Sequence, residues 1–196
     1  MEDEEIHRIH VAVGEALSEW SQVEKMLVFC FAEIVPVRNP TVPWIIFTSI
    51  INMDARIKLM NELIPYAGLS KDGFAAWGWL YNRLTRCNKA RNELAHFTIG
   101  AEIIDGIRYP TALMPFFQAN FARFRSKRLT SSQITDRTRR FGELAEDLYW
   151  LLQQFPRIEG RPVPKPEPMP ERVTLHLQAV RSTPQEGSPP PQSFEA

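Results

Sequence analysis

The apolar residues from Ile6 to Ile34 recur at alternating three- and four-residue steps, and this long run constrains the fold more than any other feature. A period near that of the α-helix indicates a helix with one buried face, so the run predicts a single helix from about Glu4 to Val35. Pro36 and Pro40 end this helix, because proline cannot continue its backbone hydrogen bonds.

Three further segments show the same helical period. The second runs from Pro43 to Ile64, and its apolar face is wide enough to contact two neighbours, one of which could be another protomer. The third spans about Lys71 to Phe97. The fourth opens with Thr130-Ser131-Ser132-Gln133, which resembles a capping box, and continues to Phe155. These segments predict an all-α domain that forms an up-and-down four-helix bundle.

Residues 98–113 break the helical pattern. Asp105-Gly106 separates two β-rich stretches, and Asp-Gly suits the left-handed geometry of a hairpin turn. We therefore predict a small β-hairpin inserted between the third and fourth helices. The following stretch, 116–129, fits either a loop or a short helix.

Proline dominates the end of the chain, because ten of the 16 prolines lie from Pro156 onwards. Such a composition buries too little apolar surface to fold. The sequence therefore predicts a helical domain over residues 1–156 and a proline-rich, largely disordered tail over 157–196. Within the tail, Glu171 to Val180 is compatible with a strand or a short docked helix.

Charge and composition exclude several classes of protein. The formal net charge of the 196 residues is zero, so any basic site must be local. The N-terminus is acidic where a secretory signal needs basic residues, and no apolar run approaches the roughly 20 residues that span a bilayer. We expect a cytoplasmic protein without a metal or cofactor. Cys30 and Cys87 fall on or beside apolar stripes, which predicts buried free thiols.

The apolar seam of the third segment contains one residue of the wrong type. Arg91 follows Leu84 and Cys87 and precedes Leu94 at helical steps, so it stands where the pattern requires an apolar side chain. A guanidinium at such a position must be paired, must extend to solvent or must line a cleft, because an unpaired buried charge costs several kcal/mol.

His96 follows Arg91 by five residues, which places the two about 140° apart around an ideal helix. Asn88, Asn92 and His96 instead share one face at four-residue steps. Arg91 and His96 can therefore meet only if the helix ends near His96, or if two copies of the chain meet across a two-fold axis.

An arginine, an amide and a histidine together suit cleavage of RNA without a metal. A base must take the proton of the ribose 2′-hydroxyl, an acid must protonate the departing 5′-oxygen, and a cation must stabilise the charged phosphorane. Histidine and arginine suit these tasks. The alternative interpretation is that His96 caps a helix end and that Arg91 pairs with Glu24 or another carboxylate.

The stretch Arg91-Asn92-Glu93-Leu94-Ala95-His96 resembles the signature of the HEPN superfamily, in which an Arg and a polar residue are followed by a His four to six residues after the Arg. The predicted four helices agree with this resemblance. So does Trp20-Ser21-Gln22-Val23-Glu24, which is similar to the first helix of many uncharacterised bacterial members. The resemblance covers roughly Ile6 to Phe155.

The resemblance implies a homodimer with a composite cleft and, in active members, a metal-independent endoribonuclease. By this resemblance, Arg91 would bind the scissile phosphate, His96 would act as acid or base, and Asn92 would orient the site. From their positions in the sequence, Glu24 and Asn88 are predicted as supporting residues. Many members belong to toxin–antitoxin or phage-defence modules, which makes an antitoxin or another protein a possible partner. Other members bind RNA or nucleotides without catalysis.

One departure concerns regulation. In members that pair with a nucleotidyltransferase antitoxin, a Tyr that becomes modified often stands two residues after the His. This chain has Thr98 at that position, so regulation by that route is not expected.

RNA binding would need local positive charge, and the sequence offers two groups of cations. Seven lie within eighteen residues, opposed by Asp136 and interleaved with Phe121 and Phe124: Arg123, Arg125, Lys127, Arg128, Arg137, Arg139 and Arg140. The second group is Arg83, Arg86 and Lys89. The alternative is that both groups are only solvated surface.

Three functions remain open from the sequence. The first is a dimeric HEPN-type ribonuclease that acts on RNA. The second is a non-catalytic HEPN-like module that binds RNA or a nucleotide, or acts as a regulator. The third is a structural dimer whose tail recruits partners through polyproline segments.

Overall fold

The computed structural model describes residues 2–35, 37, 39, 41–104, 107–115, 128–156 and 168–182, which form mainly α-helices and one small antiparallel sheet. The helices are α1 (Glu2–Ile34), α2 (Thr41–Ser49), α3 (Met53–Leu63), α4 (Lys71–His96), α5 (Ser131–Leu152) and α6 (Glu171–Ser182), with a 3₁₀ turn at Ile64–Tyr66, and the strands are β1 (Phe97–Ile104) and β2 (Ile107–Pro115). Among these helices, none combines the length and apolar composition needed to cross a membrane.

The core lies where α1, α4 and α5 meet. Trp20 of α1 packs edge to face against Phe141 of α5, with ring centroids 5.3 Å apart, and both side chains are buried. The predicted capping box at Thr130 is confirmed, because its hydroxyl accepts from the Gln133 backbone N–H and the Gln133 side chain accepts from the Thr130 backbone N–H. The cap fixes where α5 begins and therefore which of its faces meets α1.

α1 and α5 run in the same direction, which corrects the predicted up-and-down order of the bundle. The start of α5 lies beside the start of α1, since the Ser131 hydroxyl donates to Glu5 at 3.0 Å. Further along both helices, the Cys30 thiol lies 3.8 Å from the Leu148 carbonyl oxygen. In an up-and-down bundle the first and fourth helices are antiparallel.

The second predicted helix is two helices, α2 and α3, which corrects the prediction of a single segment. Asn52 caps α3, because its side chain accepts from the Ala55 backbone N–H at 3.1 Å. Arg56 donates to the carbonyl oxygens of Ile50 at 2.6 Å and Thr48 at 3.0 Å, which satisfies carbonyls at the end of α2. These two side chains stabilise the break between the helices.

The predicted hairpin is confirmed, although its Asp105-Gly106 tip lies outside the described residues. β1 follows α4 without an intervening residue and pairs with β2 from Phe97 opposite Pro115 to Ile104 opposite Ile107. Leu129 then pairs with Leu113 of β2 through two backbone hydrogen bonds of 2.9 and 3.0 Å. The chain therefore returns to the hairpin immediately before α5 begins.

Helix α6 corrects part of the tail prediction. Val173 and Leu177 are buried, so residues 171–182 fold as a docked helix rather than a disordered tail. Arg172 lies 2.6 Å from Asp147 of α5, and the His176 ring stacks on Trp79 of α4 with centroids 5.3 Å apart. Residues 157–167 and 183–196 lie outside the described residues.

Candidate functional site

Arg91 lies half-buried in the seam of α4, with the buried Leu84 and Leu94 before and after it. Its Nη1 donates to Asn92 Oδ1 at 3.2 Å. Its Nε is buried and has no hydrogen-bond partner among the described residues. Because buried polar groups are nearly always hydrogen-bonded, this N–H is a donor that an incoming acceptor can use.

Four other half-buried arginines form ion pairs between helices. Each one reaches an acidic side chain on a neighbouring helix: Arg56 to Glu24 at 3.5 Å, Arg137 to Glu93 at 2.7 Å, Arg172 to Asp147 at 2.6 Å, and Arg83 to Asp147 and Glu143. Arg91 has no such carboxylate in the described part of the chain.

Glu24 does not pair with Arg91. Its Oε1 accepts from the Trp20 indole N–H at 2.6 Å, and its Oε2 lies 3.5 Å from Arg56. The alternative pairing of Arg91 with Glu24 is therefore not observed, and Glu24 instead holds α3 against α1.

Arg91 lines a polar cleft of about 290 Å³ between α1, α3 and α4. The cleft contains two guanidinium groups, two carboxylates and three amides: Arg56, Arg91, Glu24, Asp54, Asn52, Asn88 and Asn92. The first turn of α3 also borders it, and a helix N-terminus presents backbone N–H groups that favour an anion. The sequence pattern does not reveal the contribution of α3, because the apolar period continues across the Asn52 cap.

Asn88 is buried, with 1% of its surface exposed, and lies beside Arg91 in this cleft. Its Nδ2 donates to Asp54 Oδ1 at 2.7 Å, whereas its Oδ1 has no partner among the described residues. The cleft thus contains one unpaired buried donor, on Arg91, and one unpaired buried acceptor, on Asn88.

A second, larger cleft of about 500 Å³ adjoins the first and shares Asp54, Asn88 and Asn92 with it. Lys89 and Phe97 also line this second cleft. We refer to the two neighbouring clefts together as the groove; Lys89 and Phe97 lie on the side of the larger cleft. Of the predicted RNA-binding residues, the structure therefore places Lys89 beside the motif.

His96 is the last residue of α4 and is exposed. It follows Asn92 by one helical turn, but it is not among the residues that line either cleft. Because α4 is helical from Arg91 through His96, their side chains leave the axis about 140° apart. A single chain therefore does not bring Arg91 and His96 to one point.

Arg83 and Arg86 lie on the opposite side of α4, in a third cleft of about 300 Å³ that Arg137 and Arg140 of α5 also line. Arg83 is held by Asp147 and Glu143, whereas Arg86 donates to the Asn82 carbonyl oxygen of its own helix at 3.3 Å. Of this group, Arg86 has no carboxylate partner among the described residues.

The remaining predicted cations differ in their partners. Arg139 and Arg140 both pair with Asp136 at 2.7 Å, and the hydrogen bond from Arg139 is the main reason that the pKa of Asp136 is lowered. Arg128 donates to the Pro110 carbonyl oxygen. Arg123, Arg125 and Lys127 lie outside the described residues.

Cys30 and Cys87 are free and buried, as predicted, and burial raises the pKa of both thiols. Among the described residues, no group of three or more His, Cys, Asp or Glu side chains could hold a metal ion.

Comparison with known proteins gives no match, because no family model, curated protein or solved structure is significantly similar to the chain.

Proposed function

We propose that this protein is a metal-independent endoribonuclease of the HEPN type that acts as a homodimer in a toxin–antitoxin or phage-defence module. The observation that carries the proposal is the unpaired Nε of Arg91, which lies in a polar cleft on the helix that ends at His96. Four other half-buried guanidinium groups pair with carboxylates, whereas this one remains available for a phosphate.

Arg91 would bind two oxygens of the scissile phosphate through its planar fork and stabilise the charge that develops on the phosphorane. Asn92 accepts from Arg91 Nη1 and therefore orients the guanidinium. His96 would transfer a proton, either from the 2′-hydroxyl or to the departing 5′-oxygen. The products would carry a 2′,3′-cyclic phosphate and a 5′-hydroxyl.

The divergence of Arg91 and His96 makes a second copy part of this mechanism. Two copies that meet at the groove would form two equivalent sites, each with Arg91 from one copy and His96 from the other. An exposed apolar surface supports the idea: Ile45 and Ile46 of α2 are 59% and 45% exposed, and Ile51, which borders the Arg91 cleft, is 96% exposed. Exposed apolar side chains beside a polar cleft are typical of an interaction surface.

The experiment that tests this proposal measures cleavage of a labelled RNA by the purified full chain in EDTA. We expect a 2′,3′-cyclic phosphate product, and we expect His96→Ala to lower the rate about 100-fold or more. Cleavage that persists at the wild-type rate in His96→Ala would contradict the assignment, because it would come from another site or a contaminant.

A mixed dimer tests whether the site is shared between copies. Arg91→Ala and His96→Ala chains with different tags are co-expressed, and the dimer that carries both tags is purified. If each site takes Arg91 from one copy and His96 from the other, one of two sites is intact, and the rate returns to about half of the wild-type value. If each site lies within one chain, the mixed dimer stays inactive.

The second candidate is a non-catalytic module that binds RNA or a nucleotide. The separation of Arg91 and His96 within one chain favours it, because the cleft can bind a phosphate without help from His96. On this proposal, Arg91→Ala weakens RNA binding, His96→Ala does not, and neither the wild-type chain nor any mixed dimer cleaves RNA.

A further inference from the structure

The buried Oδ1 of Asn88 is an acceptor without a partner among the described residues, and the Arg91–His96 motif assigns it no role. Asn88 lines both clefts and precedes Arg91 by three residues on α4. The Oδ1 of Asn88 and the Nε of Arg91 both lack a hydrogen-bond partner among the described residues. A phosphate carries acceptors alone and cannot satisfy Oδ1. The group that meets Asn88 must therefore donate a hydrogen bond and must lie next to the phosphate that Arg91 binds.

Asp54 fixes the orientation of the Asn88 amide. Its Oδ1 accepts from Asn88 Nδ2 at 2.7 Å. Rotation of the amide by 180° would place the two oxygens against each other, so the contact with Asp54 keeps Oδ1 as the acceptor that remains unused. The site therefore selects for a donor before a ligand arrives.

We propose that Asn88 accepts a hydrogen bond from the ribose 2′-hydroxyl adjacent to the bound phosphate, and thereby distinguishes RNA from DNA. This inference rests on the proposed binding of RNA at Arg91. The 2′-hydroxyl is the donor that RNA carries beside every phosphodiester and that DNA lacks. Asn88 is then a positioning residue, which holds the 2′-oxygen beside the phosphorus that this oxygen attacks.

A missing donor has an energetic cost. Oδ1 is almost inaccessible to solvent and has no partner among the described residues before a ligand binds. A strand with a 2′-hydroxyl supplies the missing hydrogen bond, whereas a strand without one leaves the acceptor unpaired. We expect the nucleic-acid strand without a 2′-hydroxyl to bind about tenfold more weakly than the strand with one.

The experiment uses the full chain with His96→Ala, which binds RNA without cleaving it, and measures fluorescence anisotropy with three single strands of one sequence. The strands are RNA, DNA and 2′-fluoro RNA, which keeps an RNA-like sugar conformation but cannot donate. We expect RNA to bind about tenfold more tightly than 2′-fluoro RNA. Asn88→Leu should remove this difference by weakening the RNA complex alone, because both other strands already lack the donor.

Two variants of the exposed Asp54 distinguish loss of the Asn88 amide orientation from general damage to the groove. Asp54→Ala removes the acceptor that fixes the Asn88 amide and should reduce the preference for RNA over 2′-fluoro RNA. Asp54→Asn keeps an oxygen that can accept from Asn88 Nδ2 and should retain the preference. General damage to the groove would instead weaken all three strands in parallel.

The outcomes separate this inference from the proposed function. If the chain binds RNA and the preference over 2′-fluoro RNA is absent, or survives Asn88→Leu, then Asn88 does not contact the 2′-hydroxyl although the function stands. If the chain binds none of the three strands, both the function and the role of Asn88 are wrong.

Discussion

Replacing Arg91 by methionine should stabilise the fold while it removes RNA binding. Arg91 occupies a seam position between Leu84 and Leu94, and its buried Nε has no partner in the described chain. Methionine fills much of the same space, needs no hydrogen bond and suits an apolar seam. A residue kept for function at the expense of stability should behave in this way, because functional sites often break the local rules of folding.

The magnitude follows from the unpaired donor. A buried donor without a partner costs about 1–3 kcal/mol, and we take the lower end because Arg91 is only half-buried. The free energy of unfolding should therefore rise by about 1 kcal/mol. For a chain of this size, that corresponds to an increase in melting temperature of about 2–4 °C.

Arg83→Met is the matched control, because Arg83 lies on the same helix but is paired. Its loss leaves Glu143 and the fully buried Asp147 without their α4 partner, and breaking a buried ion pair costs about 3 kcal/mol or more. Both variants are unfolded in urea at one fixed protein concentration, since stability of a dimer depends on concentration. If Arg91→Met destabilises the chain as Arg83→Met does, Arg91 is a structural residue and the functional argument fails.

Three further predictions concern other parts of the fold. Burial raises the pKa of Asp147 from 3.8 to about 6, so its proton stabilises the folded state at low pH, and this stability is lost as the pH rises through 6. From pH 5 to 7 the free energy of unfolding should therefore fall by about 1 kcal/mol relative to Asp147→Asn, measured in urea. Ile45→Asp should convert the proposed dimer to a monomer, as measured by light scattering, and should abolish cleavage. Leu175→Asp, at a similarly exposed position on α6, should leave the proposed dimer intact. Leu177→Ala should undock α6 and expose Trp79, giving a red-shifted fluorescence that disappears in the Trp79→Phe background; an unshifted spectrum would show that α6 stays docked.

Local patterns predicted most of the elements. The periods of α1, α4 and α5 and the Asp-Gly turn report interactions between residues close in sequence, and the helices and hairpin occur where these signals lie. The Arg91 anomaly was equally visible, because a charged residue in an apolar seam stands out without any structure.

Interactions between distant residues account for what the sequence did not reveal. The apolar period runs across the break between α2 and α3, and the break depends on Arg56 reaching back to the Thr48 and Ile50 carbonyl oxygens. The parallel course of α1 and α5 and the docking of α6 on Trp79 likewise depend on long-range contacts. The Asn88–Asp54 pair joins helices that sequence spacing cannot relate to each other, so its open acceptor appeared only in the structure.

The direct passage from α4 into β1 has a mechanical consequence for His96. A histidine on a loop can adjust its position while its supports stay still, but His96 is attached to a helix on one side and to a paired strand on the other. A movement of its backbone would tilt the hairpin, so the hairpin is mechanically coupled to the proposed proton-transfer group. If the proposed function is correct, a molecule that binds the two strands would change the position of His96 from outside the groove, without competing with RNA.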